Sequence, residues 1–290
     1  MKPIPFKKIA LLGRRRGLEI PETIVAAADY LAQQGFEVIL EAQTAELLEN
    51  PRWPTVLSHQ LGQKADIIVV VGGDGSLINA AHIAVSQHLP VVGVNRGNLG
   101  FLTDIHPDEL SQLAAILNGN YTHEERFLLQ VSLEQNGQVL KNDVALNDVV
   151  LFPGQLPHMI YFDIEVNGQF VCHLSADGLI ISTPTGSTAY ALSAGGPILH
   201  PHLNAILLVP MMPHRLSNRP FVVDAESVIE VKVSEENEAE LALSCDGQER
   251  LIVPPGARLC VQKHAHRLQL IHPKDYHYFK TLREKLRWQG

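Results

Sequence analysis

The sequence predicts an α/β N-terminal domain with a parallel sheet, an all-β C-terminal sandwich domain, and a C-terminal helix returning to the N-terminal domain. Three observations carry this reading. Up to about residue 120, apolar strand-like runs alternate with helical spacing, the pattern of a parallel sheet with helices on its faces. After Arg126 the period changes to short alternating segments separated by hairpin signals, Asn136-Gly137 and Asn167-Gly168 the strongest. From Asp275 to Trp288 helical spacing returns through Tyr278, Leu282 and Leu286. The domain boundaries expected from these changes are 1–125, 126–272 and 273–290.

In the first domain, strands are expected over Lys8 to Leu12, Glu37 to Leu40, Asp66 to Val71 and Val91 to Val94. Pro21 to Gln34 reads as a helix closed by Gly35, Leu77 to Val85 as a second, and Asp108 to Leu117 as a third stopped by Asn118-Gly119. In the second domain, Phe127 to Leu133, Met159 to Val166, Ser227 to Val233, Leu241 to Cys245 and Arg258 to Val261 read as strands. Val144 to Leu151 reads as one more buried strand, with Asn147 and Asp148 at its centre. Polar groups buried there need partners, and a ligand is one way to provide them.

At 290 residues the chain is long enough for a sizeable core, and 46% apolar with 19% charged residues fits a globular protein. A net charge of -8 argues against general nucleic-acid binding and against attraction to an anionic membrane. Cys172, Cys245 and Cys260 are widely spaced without a CxxC pair, so neither a disulfide framework nor a thiolate zinc site is expected. The expected setting is the reducing cytoplasm. The apolar stretch Ile9 to Leu12 ends at Gly13 and is too short for a signal h-region. No run approaches the roughly 18 apolar residues of a spanning helix.

Chemistry concentrates in three clusters. Gly72-Gly73-Asp74-Gly75-Ser76 joins the run Ile67 to Val71 to a helical segment, so a buried strand passes into a helix through a glycine turn. Free backbone N–H groups and the positive helix end make such a turn an anion site. Asp74 is repulsive to phosphate unless it holds a cation or removes a proton, which points to catalysis. Neither a GxxxxGK phosphate loop nor a dinucleotide fingerprint fits: the third small residue of the fingerprint falls on Ile78, and no acidic residue follows where a ribose partner belongs. A nicotinamide-dependent dehydrogenase is disfavoured.

The second cluster, Gly93 through Asn95, Gly97, Asn98 and Gly100 to Phe101 and Leu102, follows another strand end. Loops at the carboxyl ends of adjacent parallel strands line one crevice. Phe101 and Leu102 are open between core residues and an apolar wall for a base or ring, and Asn95 and Asn98 between turn and ligand. In the third cluster, Thr183, Thr185, Ser187, Thr188 and Ser193 crowd eleven positions together with Tyr190. One helix cap needs one hydroxyl, so a polar ligand is indicated. Arg14 to Arg16 remain open between a solvated face and phosphate contacts. The pairs His200/His202 and His264/His266 lack the companions of a metal site and read as structural.

Together these motifs resemble the bacterial NAD kinases. Gly72 to Gly75, Asn95 to Leu102, Asp177-Gly178 followed by Thr183 to Tyr190, and Ser193 to Pro197 match that family's motifs in order and spacing, over about residues 66 to 276. The Gly-Gly-Asp-Gly turn alone is shared with phosphofructokinases and lipid kinases; the threonine-rich stretch is more specific. The resemblance implies ATP-dependent phosphorylation of the adenosine 2′-hydroxyl of NAD, giving NADP. It also implies Mg²⁺ or another divalent cation held through substrate phosphates, an active site between two domains, and a homo-oligomer of two or four subunits.

By resemblance, Asp74 is the general base, with Gly72, Gly73 and Gly75 beside it. Asn147 and Asp148 hold the adenosine. Asn95, Ser175, Asp177, Thr185, Thr188, Ala189, Tyr190, Ala191, Leu192 and Ser193 belong to the rest of the nucleotide site, with Phe101 and Leu102 as its apolar wall and His158 and Gln248 as further NAD contacts. Two positions depart from the family pattern. Asp148 stands where Glu is usual, and Ser175 stands where many NAD-selective members have Arg, which weakens the expected preference for NAD over NADH. The alternatives are a sugar kinase, which lacks its expected TxDND segment here, a lipid kinase, and a non-catalytic NAD sensor.

Overall fold

The computed structural model describes residues 5–14, 20–96, 100–154, 158–215, 217–237, 240–248 and 250–288. Of the residues singled out above, Arg15, Arg16, Gly97, Asn98 and Leu99 lie outside them. The chain forms two compact units, one of residues 1–125 and 268–290, the other of residues 126–267.

The first unit is built on parallel strands in the order Thr55–Val56, Glu37–Glu41, Lys8–Gly13, Ile67–Gly72 and Val91–Asn95, with Leu270 pairing Val91 beyond the last. Every residue of Ile67–Gly72 is buried, as expected where both faces of a parallel sheet are covered. The helix Ile20–Gln33 buries Ile20, Ile24, Ala28 and Leu31, a stripe at helical spacing that packs with Ile9, Leu11 and Val69. It stops where Gly35 adopts φ +88° and the amides of Gly35 and Phe36 turn back onto Ala32 and Leu31. The helix Asp74–Gln87 packs against the strand that precedes it. The chain runs outward from Lys8–Gly13 in one direction and from Ile67–Gly72 in the other. The order therefore reverses between these two strands, and such a switch point leaves a crevice at their carboxyl ends. The C-terminal helix Tyr278–Leu286 belongs to this unit and buries Leu282.

The second unit is a sandwich of two antiparallel sheets. One runs Phe221–Asp224, Ala205–Met211, Gly178–Ser182, Asp148–Pro153, Leu241–Cys245, Arg250–Val253. The other holds Gln169–Ala176, Ile160–Val166, Ile229–Val233 and the unit's parts of Arg258–Pro273 and Tyr121–Gln135, the last paired with Gln138–Ala145. One apolar cluster takes Leu151, Leu179, Ile181 and Leu208 from the first sheet and Leu129, Phe162, Ile164 and Val231 from the second. Asn136-Gly137 and Asn167-Gly168 form the hairpin turns, each with positive φ at both residues, the geometry that Asn-Gly favours.

Two expectations need correction. Val144 to Leu151 is not one strand: Gln138–Ala145 ends, Leu146 and Asn147 form a bend, and Asp148–Pro153 begins in the opposite sheet. The helix after the glycine turn starts at Asp74 rather than Leu77, so Asp74 lies in its first turn.

Candidate active site

In the first unit, the strand Ile67–Gly72 hands over through Gly73 to the helix that begins with Asp74. The first N–H groups of any helix lack intrahelical acceptors, and here they sit at the carboxyl end of the sheet. Gly72 is the parallel partner of Asn95, so the first two sequence clusters are neighbours. Asp74 turns its carboxylate onto the loop that follows Asn95. Oδ2 accepts the amide of Phe101 at 2.7 Å, and Oδ1 accepts the amides of Leu102 at 3.0 Å and Thr103 at 3.2 Å. The Thr103 hydroxyl donates to the same Oδ1 at 3.2 Å.

Among the described residues four donors therefore fix the carboxylate, three of them on one oxygen. With about four acceptor directions available to a carboxylate, Oδ2 keeps open capacity. Gly100 makes the approach feasible: a Cβ there would lie 1.9 Å from Asp74 Oδ1. Leu102 is buried and Phe101 half-buried, with the Lys285 ammonium 6.0 Å from the Phe101 ring centre. Arg14, which the sequence left open, reaches the helix after the turn, its Nη1 3.4 Å from Asn79 Oδ1; Asn79 in turn donates to the Gly75 carbonyl at 2.8 Å.

In the second unit, the bend at Leu146 to Asp148 is pinned by Asp246. Its Oδ2 accepts the amide of Leu146 at 2.8 Å, and its Oδ1 accepts those of Asn147 at 2.7 Å and Asp148 at 3.2 Å. The bend's carbonyls are held from the other side, Leu146 by the Thr183 hydroxyl at 2.6 Å and Asn147 by the Thr183 amide at 2.9 Å. Gly186 packs so closely on this bend that a Cβ would lie 2.2 Å from the Asn147 carbonyl oxygen. The threonine-rich segment is thus partly a clamp. Thr185 is buried and accepts from Arg126 Nη1 at 3.2 Å, and Ser187 bonds the Pro184 carbonyl and the Leu199 amide.

Asp148 is 5% exposed. Burial first, and the facing Asp246 charge second, push its carboxyl up to about 7. Beside it, Asn147 Oδ1 is buried without a hydrogen-bond partner among the described residues. Both side chains line a cavity of about 540 Å³ with Ala189, Tyr190, Asp246 and Gln248. A second cavity of about 860 Å³ is lined by His158, Asp177, Tyr190 and Ser193 among others. The two share Phe152, Tyr190 and Arg250 as walls, the Arg250 guanidinium lying 5.2 Å from the Phe152 ring centre. Cavities of this size accommodate small-molecule ligands.

The expected residues therefore separate into groups. Asn147, Asp148, Ala189, Tyr190 and Gln248 line one cavity; His158, Asp177, Tyr190 and Ser193 line the other. Ser175, Thr185, Thr188, Ala191 and Leu192 line neither. Ser175 donates to Met159 Sδ at 3.4 Å, Thr188 donates to the Thr185 carbonyl, and Ala191 packs in a cluster with Ile180, Leu207 and Val209. Asp246, Arg126, Arg250 and Thr103 escaped the sequence reading. Asp246-Gly247 carried a usable signal, a turn dipeptide between two strand-like runs.

Comparison with known proteins bears on this arrangement. Residues 9–121 match the family model described as the ATP-NAD kinase N-terminal domain, and residues 146–273 the one described as the ATP-NAD kinase C-terminal domain. An NAD kinase of Coxiella burnetii is 56% identical over 284 residues, covering 98% of this chain and 95% of that one. The chain belongs to the NAD kinase family. Membership makes it a kinase, built on the fold seen in solved NAD kinases. The yeast NADH kinase crystallised with NADH shares the fold at a TM-score of 0.87 and 24% identity, over 99% of this chain and 89% of that one. The Archaeoglobus fulgidus NAD kinase crystallised with ATP matches at a TM-score of 0.72 and 26% identity, over 98% of this chain and all of that one.

Proposed function

We propose that this NAD kinase family member transfers the γ-phosphoryl group of ATP to the adenosine 2′-hydroxyl of NAD, with Asp74 as general base. The observation that carries this reading is the fixed Asp74 carboxylate at the start of a helix, held by four donors among the described residues, one of them on Oδ2. A secondary hydroxyl is a poor nucleophile at neutral pH. A placed carboxylate that takes its proton as the new O–P bond forms is worth roughly 10²- to 10⁴-fold. The bond between the γ-phosphorus and the bridging oxygen breaks, and ADP leaves. Amides of the Gly72 to Gly75 turn would receive phosphate oxygens.

The donor set at this turn is backbone N–H groups and one carboxylate already holding four donors, which fits phosphate oxygens better than a bare cation. A divalent cation, Mg²⁺ or another, is therefore proposed to arrive on the ATP phosphates, where it would neutralise charge developing in phosphoryl transfer. Among the described residues no group of three or more His, Cys, Asp or Glu is placed to hold a metal ion. For NAD, the roles proposed are adenosine binding by Asn147 and Asp148, with Asp177, Tyr190, Ser193, His158 and Gln248 contacting the remainder. A homo-oligomer of two or four subunits in the cytoplasm completes the proposal. Among the described residues no helix is long and apolar enough to cross a membrane.

The test is purified protein with ATP, Mg²⁺ and NAD, scored for NADP by a strictly NADP-dependent dehydrogenase. NADP formation that Asp74→Asn abolishes is the expected result. No product from the unmodified chain, or a full rate from Asp74→Asn, overturns the assignment. NADH assayed in parallel reads the effect of Ser175.

A further inference from the structure

The loop that holds Asp74 is itself tied down by a buried histidine. His272 is 1% exposed. Its Nδ1 lies 2.8 Å from Asp104 Oδ2 and its Nε2 lies 3.2 Å from Glu124 Oε2, while its ring stacks on Tyr276 at 4.0 Å with an interplanar angle of 10°. Asp104 directly follows Thr103, which gives both its amide and its hydroxyl to Asp74. The other oxygen of Asp104, Oδ1, is buried without a hydrogen-bond partner among the described residues, so His272 is the group that holds this carboxylate. Neighbouring residues fix the two ends of the tie. Ile105 exchanges backbone hydrogen bonds with Gly93 and Asn95, and the Pro273 carbonyl accepts from the Thr122 hydroxyl and the Tyr276 amide.

We propose that His272 is a positioning residue for phosphoryl transfer, acting through Asp104 to set the Phe101 to Thr103 amides that orient the Asp74 carboxylate. The proposal rests on the reading of Asp74 as general base. Its physical basis is that a buried carboxylate deprived of its partner must neutralise or move. Asp104 can do neither without disturbing the residue bonded to Asp74. A displacement of about 1 Å at a reacting group costs on the order of 10²-fold.

His272 also makes the tie sensitive to pH. The groups facing it are Asp104 from the loop, Glu124 from the strand Tyr121–Gln135, and Tyr276 from the segment before the last helix. Burial alone favours the neutral ring, but the Asp104 hydrogen bond and the charges of Asp104 and Glu124 outweigh it and hold the imidazolium above the ordinary histidine range. The tie is intact at low pH and is lost as pH rises through that raised value.

The test uses the full chain with His272→Gln, and Asp104→Asn as a second variant should the first fail to fold. Three readouts are taken: kcat and the two KM values, the pH profile of kcat, and amide hydrogen exchange. The expected result is a kcat lowered roughly 10- to 100-fold with both KM values within about twofold. The alkaline fall of kcat disappears in His272→Gln, and exchange accelerates at Phe101, Leu102 and Thr103 but not in the strands of the second unit. Unchanged kcat beside an inactive Asp74→Asn overturns this inference alone. Loss of protection throughout the chain, or a KM rise matching the kcat fall, reduces His272 to a structural residue and also overturns it. A fully active Asp74→Asn overturns the general-base reading and the catalytic part of this one together.

Discussion

The Asp74 turn and the Asn147-Asp148 bend use the same device with the roles exchanged. In each unit an Asp beside a glycine accepts three consecutive backbone amides: Phe101 to Thr103 on Asp74, Leu146 to Asp148 on Asp246. In the first unit the pinned loop is support and the carboxylate is the proposed reactive group. In the second the carboxylate is support, and the pinned bend carries the side chains that face a cavity. The electrostatic outcomes also differ. Asp74 is surrounded by donors, whereas Asp148 is desolvated and opposed by the charge of Asp246. A bond between a carboxylate and three amides is thus a positioning element, and what it positions decides whether the carboxylate does chemistry.

The comparison breaks most visibly at Asp74. Asp74→Asn replaces one acceptor oxygen by an amide that cannot accept from Phe101, and it removes the proposed proton acceptor. The expected loss in kcat is roughly 10²- to 10⁴-fold, checked by NADP formation under saturating ATP and NAD. Gly100→Ala removes no reactive atom but would place a Cβ 1.9 Å from Asp74 Oδ1 and push that carboxylate aside. It is expected to lower kcat by about 10²-fold through displacement alone, with near-normal NAD binding by calorimetry. If Gly100→Ala turns over like the unmodified chain, the tight placement of Asp74 is not what catalysis needs.

Much of this was legible in the sequence because it rested on long apolar runs and turn dipeptides. Ile67 to Val71 reads as a buried strand, and Asn136-Gly137 as a tight hairpin. The Asp74 turn was legible for the same reason, as a run ending in glycines. What was illegible depended on backbone donors and on distant partners. The four donors on Asp74 include three amides, which leave no trace in residue type. The break at Leu146 and Asn147 looked like continuous strand, because the residue that forces it, Asp246, lies about 100 positions away. The tie from His272 to Asp104 spans a still longer separation, and a lone histidine in an apolar run reads as core.

The second pinned bend gives the next test. Asp246→Asn leaves one acceptor where two served three amides, and turns a donor toward them. Hydrogen bonds to charged groups are worth roughly 1.5–3 kcal/mol, so a stability loss of about 2 kcal/mol is expected by urea unfolding of the full chain. The facing negative charge is removed as well, which lowers the carboxyl of Asp148 from its raised position and shifts NAD binding to lower pH. A variant that loses stability without that shift would show that Asp246 pins the bend but does not tune Asp148.

The pH dependence of the second region is its most diagnostic test. Asp148 ordinarily would titrate near 3.8, and burial and Asp246 raise it to about 7. If the ionised carboxylate accepts from adenosine hydroxyls, NAD binding strengthens as pH rises and levels off above about 7, by about tenfold per pH unit below that value. Stability of the ligand-free protein runs the other way. The folded carboxyl holds its proton more tightly than the unfolded one, so the native state carries the extra proton between about 3.8 and about 7. Stability therefore falls as pH rises through that window and is level above it. Calorimetric NAD binding and urea midpoints between pH 4 and 8.5 read the two trends, and Asp148→Asn flattens both. Opposite slopes would identify Asp148 as a residue held at a cost to folding because its charged form is needed for the ligand. Parallel or flat slopes would mean that the bend positions Asn147 and that Asp148 only fills space.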